Sequence, residues 1–185
     1  MDAPAFQNLL RKHRDRVFSH AYYFLRNRED AEDVAQEVFV KLWENRNAVE
    51  LQKVEAWLMR VVHNRCIDCH RRRSRIQDRE ETGGNGQWES RSDGGGAESD
   101  PERELDLSET QETLLAAMQN LPPAVRSMLL MHYFEDLGFE KIAGIMGLTE
   151  NAVKVAVHRG RKKLKALLEK HHPEMVEERN HERAM

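Results

Sequence analysis

The densest run of side chains with chemistry of their own is His63-Asn64-Arg65-Cys66-Ile67-Asp68-Cys69-His70. As a bare pattern, Cys-x-x-Cys-His is the attachment signature of c-type haem. That use requires an exported chain, and the opening Met1-Asp2-Ala3-Pro4-Ala5-Phe6 has neither the basic nor the apolar stretch of a signal peptide. Zinc is the second chemistry. At about 100° per residue, His63, Cys66, Cys69 and His70 share one helical sector of about 120°, but His63 and His70 stand about 10 Å apart along the axis. One tetrahedral ion with bonds of about 2.0–2.3 Å cannot easily collect all four, so two or three of them plus another group would be needed. A thiol pair at i, i+3 is also a redox candidate if Arg65 and Arg71 depress its pKa. The plainest reading makes Cys66 and Cys69 small buried apolar residues that continue the stripe of Val62. No resident cofactor or metal is expected, with zinc the alternative.

A second cluster, Asp30, Glu32, Asp33, Gln36 and Glu37, spans eight residues. Helical spacing turns these groups outward, opposite Ala31, Val34 and Val38, which makes them a recognition face rather than a buried acid/base pair. The glycines lie in an acidic stretch with no strand before it, so no phosphate-cradling loop is legible, and no Ser/His/Asp or Cys/His constellation is present. The chain is not expected to be an enzyme.

The elements that must position these groups are helices. Val17, Phe18, Ala21, Tyr22 and Leu25 recur at helical spacing, as do Ala31, Val34, Ala35, Val38, Phe39 and Leu42. Asn27 is placed to cap the second of these helices, with Glu29 and Asp30 in its first turn. Asn45–Glu50 reads as a loop. A third helix carries Val54, Trp57, Leu58, Val61 and Val62 on one stripe, which makes Trp57 core rather than a stacking platform. It then runs into Arg71-Arg72-Arg73-Ser74-Arg75.

The whole chain has 185 residues, 39% of them apolar and 33% charged, with a mean hydropathy of −0.77 and a formal charge of −3. No run approaches the roughly 18–20 apolar residues of a membrane span. The average charge hides a segregation. Residues 1–78 carry 15 Lys/Arg against 12 Asp/Glu, residues 79–112 carry 3 against 11, and residues 113–172 carry 9 against 5. The fold class expected is all-α: two small helical domains, 1–78 and 110–172, joined by a flexible acidic linker at 79–109 and followed by a charged tail at 173–185. The glycine-rich part of the linker lacks the apolar bulk to order itself. Its ~25 residues would span about 25–30 Å, enough for the two modules to occupy well-separated targets.

In the second module, Leu121-Pro122-Pro123 opens a helix, Asp136-Leu137-Gly138 ends it, and a long helix follows from about Glu150 to Leu168. Ala143, Gly147 and Val153 have the spacing of a helix-turn-helix: a small residue for close approach, a left-handed turn residue, and a filler between helices. Thr149 is placed as a cap. The outward side of the last helix would present Glu150, Asn151, Lys154 and His158, with Arg159, Arg161, Lys162, Lys163 and Lys165 behind them. A major groove admits one such helix, its first turns on base edges and flanking cations on phosphates. A helical hairpin with a solvated basic face is the bland alternative.

Asp30-Ala31-Glu32-Asp33-Val34-Ala35-Gln36-Glu37-Val38-Phe39, Ala56-Trp57-Leu58-Met59-Arg60-Val61-Val62-His63-Asn64 and the terminal helix-turn-helix together resemble a bacterial sigma-70-family factor. The two-module layout resembles the extracytoplasmic-function group, which keeps sigma regions two and four. The resemblance covers roughly 5–77 and 110–170. It implies that Asp30, Glu32, Asp33, Gln36 and Glu37 dock on core RNA polymerase, on a coiled coil of the β′ subunit with the β subunit as further partner. It implies that Asn45, Arg46, Asn47, Lys53, Arg60, Asn64, Arg65, Arg71, Arg72 and Arg73 face the melted minus-ten element. Asn151, Lys154, His158, Arg159 and Arg161 would read the minus-thirty-five element. Family members often carry Ser-Arg just after the recognition-helix lysine, where this chain has Val155-Ala156, so a different upstream readout is implied. Promoter DNA, an anti-sigma partner and a cytoplasmic location complete the expectation. The rival class is a stand-alone helix-turn-helix regulator, redox- or zinc-responsive through Cys66 and Cys69.

Overall fold

The computed structural model of the protein describes residues 2–83 and 107–171, with side chains described through residue 76 in the first stretch. No strand occurs among the described residues. Helix α1 (Ala3–Leu25) is started by Asp2, whose carboxylate accepts the Ala5 N–H at 3.0 Å, with Pro4 in the first turn. Arg26 then adopts a left-handed conformation, φ 53°, and its N–H closes on the Tyr22 carbonyl at 2.8 Å. Asn27 follows as the cap of α2 (Arg28–Glu44), its side-chain oxygen accepting the Asp30 N–H at 2.8 Å. Two residues therefore reverse the chain into a helical hairpin.

Past the polar loop, a 3₁₀ turn over Leu51–Lys53 leads into α3 (Val54–Gly83). The helix runs beyond the boundary expected at 78, so residues 79–83 of the expected linker are helical. The rest of the linker up to 106, and the tail from 172, lie outside the described residues. Val17, Ala21 and Phe24 from α1, Ala31, Val38 and Leu42 from α2, and Leu58, Met59 and Val62 from α3 make the first module's core.

Helix α4 (Glu109–Met118) was not anticipated. Its signal is the capping box Ser108-Glu109-Thr110-Gln111: the Gln111 N–H donates to Ser108 Oγ at 3.3 Å and the Ser108 N–H to Gln111 Oε1 at 3.0 Å. Helix α5 (Pro123–Tyr133) begins at the second proline, as the sequence suggests. Helices α6 (Phe139–Met146) and α7 (Glu150–His171) form the helix-turn-helix, with Gly147 left-handed at φ 69°. Val153 is fully buried between them and Ala143 nearly so. Gly160 lets α7 approach α5 closely, because a Cβ there would stand 2.5 Å from Val125 Cγ1.

The buried apolar residues of both modules form one continuous core. Helix α5 lies on α1 and α3, and α6 lies on α3. The modules are thus docked on each other, where the linker length alone suggested only that they could stand apart. Among the described residues, no helix is long and apolar enough to cross a membrane.

Candidate polymerase and nucleic-acid interface

The acidic face of α2 divides by what its residues touch. Ala31, Val34 and Val38 are buried, so the carboxylates opposite them point outward as the spacing requires. Asp33, Gln36 and Glu37 are exposed and line a shallow recess with Val40 and Arg65. Val40 is 57% exposed, an apolar centre within this polar rim. Asp30 is partly buried and paired with Arg73 Nε at 2.5 Å, and Glu32 is paired with Arg28 Nε at 3.0 Å. The structure keeps the five residues on one helix: Asp33 and Gln36 are its open part, and Glu37 is exposed but paired with Arg65.

The minus-ten set is divided as well. Asn45 closes α2 by donating its amide to the Lys41 carbonyl at 2.8 Å. The Arg46 guanidinium lies 4.4 Å from the centre of the Trp43 ring and donates to the Trp43 carbonyl. Asn47 is exposed, and Lys53 pairs with Glu50 at 2.8 Å. On α3, Arg60, Asn64 and Arg71 fall within about 40° of one another at 100° per residue, forming one stripe that ends beside Arg72 and Arg75. Those last residues, with Asp68 and Ile76, line a basic recess. Arg65 and Arg73 turn the other way. Arg65 reaches Glu37 Oε2 at 3.2 Å and Arg73 reaches Asp30, so both tie α3 to α2. Trp57 is half-buried against the core, in keeping with its place on the apolar stripe.

Helix α7 is fixed from behind by Val153, Val157 and Gly160. Thr149 Oγ1 accepts the Ala152 N–H at 3.2 Å, the cap its position suggested. Asn151, His158, Arg159 and Arg161 are exposed. Lys154 is exposed too, but its ammonium is held by Glu150 at 2.7 Å and lies 6.0 Å from the Phe139 ring centre.

The histidines and cysteines are not gathered. Among the described residues, no group of three or more His, Cys, Asp or Glu could hold a metal ion. His63 Nδ1 shares a 2.8 Å hydrogen bond with Ser127 Oγ of α5. Burial, then the charge of His20, lowers the His63 pKa to about 4. His70 instead stands edge-on to Phe24. Cys66 and Cys69 are buried free thiols, and burial raises the pKa of both. For Cys69 the Asp30 carboxylate adds to that, outweighing Arg72 and Arg73. Neighbouring arginines do pull these thiols down, Arg126 at Cys66 and Arg72 and Arg73 at Cys69, but burial outweighs them.

The contacts that dock the modules involve residues sequence reasoning missed. Arg126 of α5 is 2% exposed. It donates to the Phe24 carbonyl at 2.9 Å, to Gln119 Oε1 at 2.6 Å and to the Gln119 carbonyl at 2.8 Å, and its guanidinium lies 4.9 Å from the Phe24 ring centre. A lone cation ahead of Met128-Leu129-Leu130-Met131 was the only signal for it. Glu135 is buried against Arg16 and His20 of α1. Burial pushes its carboxyl up, but the His20 ring and the Arg16 guanidinium together hold it below the usual value. Arg60 donates to the carbonyls of Gly144 and Ile145 at the end of α6.

The family model described as Sigma-70 region 2 matches residues 9–76, and that described as Sigma-70, region 4 matches 111–164. The extracytoplasmic-function (ECF) RNA polymerase sigma factor SigE of Mycolicibacterium smegmatis is 31% identical over 182 residues, covering 94% of this chain and 65% of SigE. This chain therefore spans about two thirds of that relative's length. The ECF sigma factor SigW of Bacillus subtilis is 29% identical over 173 residues and is covered to 90%, as is this chain. Among solved structures, the sigma factor RpoE of Bartonella quintana, crystallised with the anti-sigma factor NepR, superposes with a TM-score of 0.67 at 22% identity, over 89% of this chain and 97% of RpoE. CnrH, solved with the cytosolic domain of CnrY, gives 0.66 at 21%, over 92% and 91%. These two likenesses speak for the fold.

Proposed function

Because the chain belongs to the sigma-70 family, in its extracytoplasmic-function group, we propose that it binds core RNA polymerase and directs initiation at a defined set of promoters. The observation that carries this reading is the pairing, in one chain and in family order, of an outward acidic α2 face with an outward, capped and basic α7 face. The phosphoryl-transfer chemistry belongs to the polymerase, and no cofactor is required of this chain.

In this reading Asp33, Gln36 and Glu37, with exposed Val40 among them, dock on β′, and Asp30 and Glu32 brace the same helix from within. Arg60, Asn64 and Arg71 line the face that receives the opened minus-ten strand, with Arg72 beside its basic end and Asn45, Arg46, Asn47 and Lys53 at its loop end. Extruding a base costs a few kcal/mol, which stacking and pocket contacts offset. Arg65 and Arg73 support that face by holding α3 to α2. Asn151, Lys154, His158, Arg159 and Arg161 engage the minus-thirty-five element. An anti-sigma protein that masks both modules is the proposed regulator, consistent with the complex with the anti-sigma factor NepR in which the RpoE fold relative was solved. The working compartment is the cytoplasm, where the polymerase acts.

Run-off transcription on a genomic fragment library, with bacterial core polymerase and with or without this protein, tests the reading. Discrete new start sites that require the protein support it. If core polymerase ignores the protein while the protein alone binds specific DNA at about 10⁻⁸–10⁻¹¹ M, the stand-alone regulator replaces it.

A further inference from the structure

On α7 the direction of the core is set by Val153, Val157 and Gly160, all buried, with Ala156 and Leu164 half-buried between them. At 100° per residue, the direction opposite the mean of the three buried residues falls within about 15° of Val155, about 25° of Asn151 and about 45° of His158. Lys154 lies on the flank, about 85° away, and Glu150 and Phe139 hold its ammonium there. An apolar residue, 40% exposed, therefore occupies the middle of the outward face in the first turns of the helix. Polar side chains flank it.

We propose that Val155 is a specificity-determining residue that reads a thymine methyl group in the major groove of the upstream promoter element. This rests on the sigma-factor reading above and adds to it which base-edge group is recognised. Valine has no donor or acceptor, so hydrogen-bonding base edges gain nothing from it. The C5-methyl of thymine is the one group in the major groove that rewards an apolar contact. A β-branched side chain on a helix is nearly fixed at χ1, so the contact surface is held ready and little rotamer freedom is lost on binding. Asn151, one turn earlier on the same face, has the paired donor and acceptor that fit adenine. The face thus suits a site in which a thymine read by Val155 lies near an adenine. The core plays no part in the contact: Val155 is exposed, and its truncation removes surface rather than packing.

The test uses holoenzyme assembled from bacterial core polymerase and the full chain, on duplex promoter fragments taken from the mapped start sites. Each upstream thymine is replaced in turn by deoxyuridine, which deletes only the methyl group. The expected result is one thymine whose replacement weakens promoter occupancy about three- to five-fold, the worth of one buried methyl group. Val155→Ala holoenzyme binds the unmodified promoter correspondingly less well and is indifferent to that replacement. Val155→Thr, which keeps a γ-methyl, retains part of the discrimination. If replacement at every upstream thymine affects wild type and Val155→Ala equally, the assignment is overturned while start-site selection stands. If the chain selects no start sites with core polymerase, the sigma-factor reading falls, and the Val155 assignment falls with it.

Discussion

Arg60 of α3 donates from Nε to the carbonyl oxygen of Ile145, at 3.1 Å, across the seam between the two modules. Ile145 lies in the last turn of α6, where carbonyls lack intrahelical partners, so the guanidinium serves as a cap supplied by the other module. The same side chain stands on the stripe with Asn64 and Arg71 that faces nucleic acid in the proposed function. One cation is thus committed to module docking in this arrangement and, in the proposed function, is also assigned to DNA.

Separating these two roles needs a pair of variants. Glu135→Gln weakens only the seam, by about 1.5–3 kcal/mol for a hydrogen bond to a charged group. It should raise the radius of gyration in solution scattering and leave promoter opening by the holoenzyme unchanged. Arg60→Ala should loosen the seam and also reduce permanganate-detected opening. Equal opening by both variants would remove Arg60 from the DNA face.

Acid should weaken the fold through His63. Its pKa, lowered from the ordinary 6.5 to about 4 by burial, means that the unfolded chain takes up a proton first as pH falls. The neutral ring's contribution is therefore complete above pH 6.5 and is lost progressively between 6.5 and about 4, at up to about 1.4 kcal/mol per pH unit. Glu135 has the opposite identity and the same trend. Its lowered pKa gives a contribution that is full above the ordinary carboxylate value and lost as pH falls through the folded one. Urea unfolding at several pH values should show the first slope in wild type and a flatter one in His63→Gln.

Two alanine substitutions at glycine should differ in sign. At Gly160 the new Cβ meets Val125 Cγ1 at 2.5 Å and Leu129 Cδ1 at 3.3 Å. Overpacking of about 1–3 kcal/mol should exceed the helix-propensity gain of up to about 1 kcal/mol. At Gly144, inside α6, nothing lies within 4 Å, so the same gain should appear as added stability. Denaturant midpoints measure both, and a stabilised Gly160→Ala would mean that α7 is not held against α5 as described.

The thiols should be inert. Cys66 and Cys69 are buried with raised pKa values, so a thiol reagent such as a disulfide dye should label neither at pH 7 until denaturant unfolds the chain. Rapid labelling of the native protein would reopen the redox reading.

On α2, reversing an exposed charge should break docking without breaking the fold. Asp33→Lys should lower affinity for core polymerase at least ten-fold in competition with wild type, with the unfolding midpoint unchanged. Asp30→Ala should move the midpoint as well, because Asp30 sits in the first turn of α2 and pairs with Arg73. Unaltered binding by Asp33→Lys would place the polymerase contact elsewhere.

Much of this protein is written in interactions between near neighbours in the chain. The apolar stripes of α1, α2 and α3, the Asn27 and Thr149 caps, the left-handed Gly147 and the outward acids of α2 all depend on partners within about four residues. Periodicity and side-chain type determine those, which is why the helices, the helix-turn-helix and the family were legible in sequence alone. Helix α4 has a local signal in the Ser108 and Gln111 capping box, but its apolar stripe is too short for periodicity to mark it.

Tertiary structure decided what the charged and polar side chains do. Arg126 reaches Phe24 across 102 residues, Glu135 meets Arg16 across 119, and Arg60 meets Ile145 across 85. No local pattern marks such partners, because they exist only where two separately folded surfaces meet and exclude water between them. Burial acts at the same level: it places Cys66 and Cys69 in the packing that was the plainest of their sequence readings. Packing also refined the outward side of α7: with Val153, Val157 and Gly160 buried, Val155 stands exposed on it, while Lys154 is drawn to its flank by Glu150.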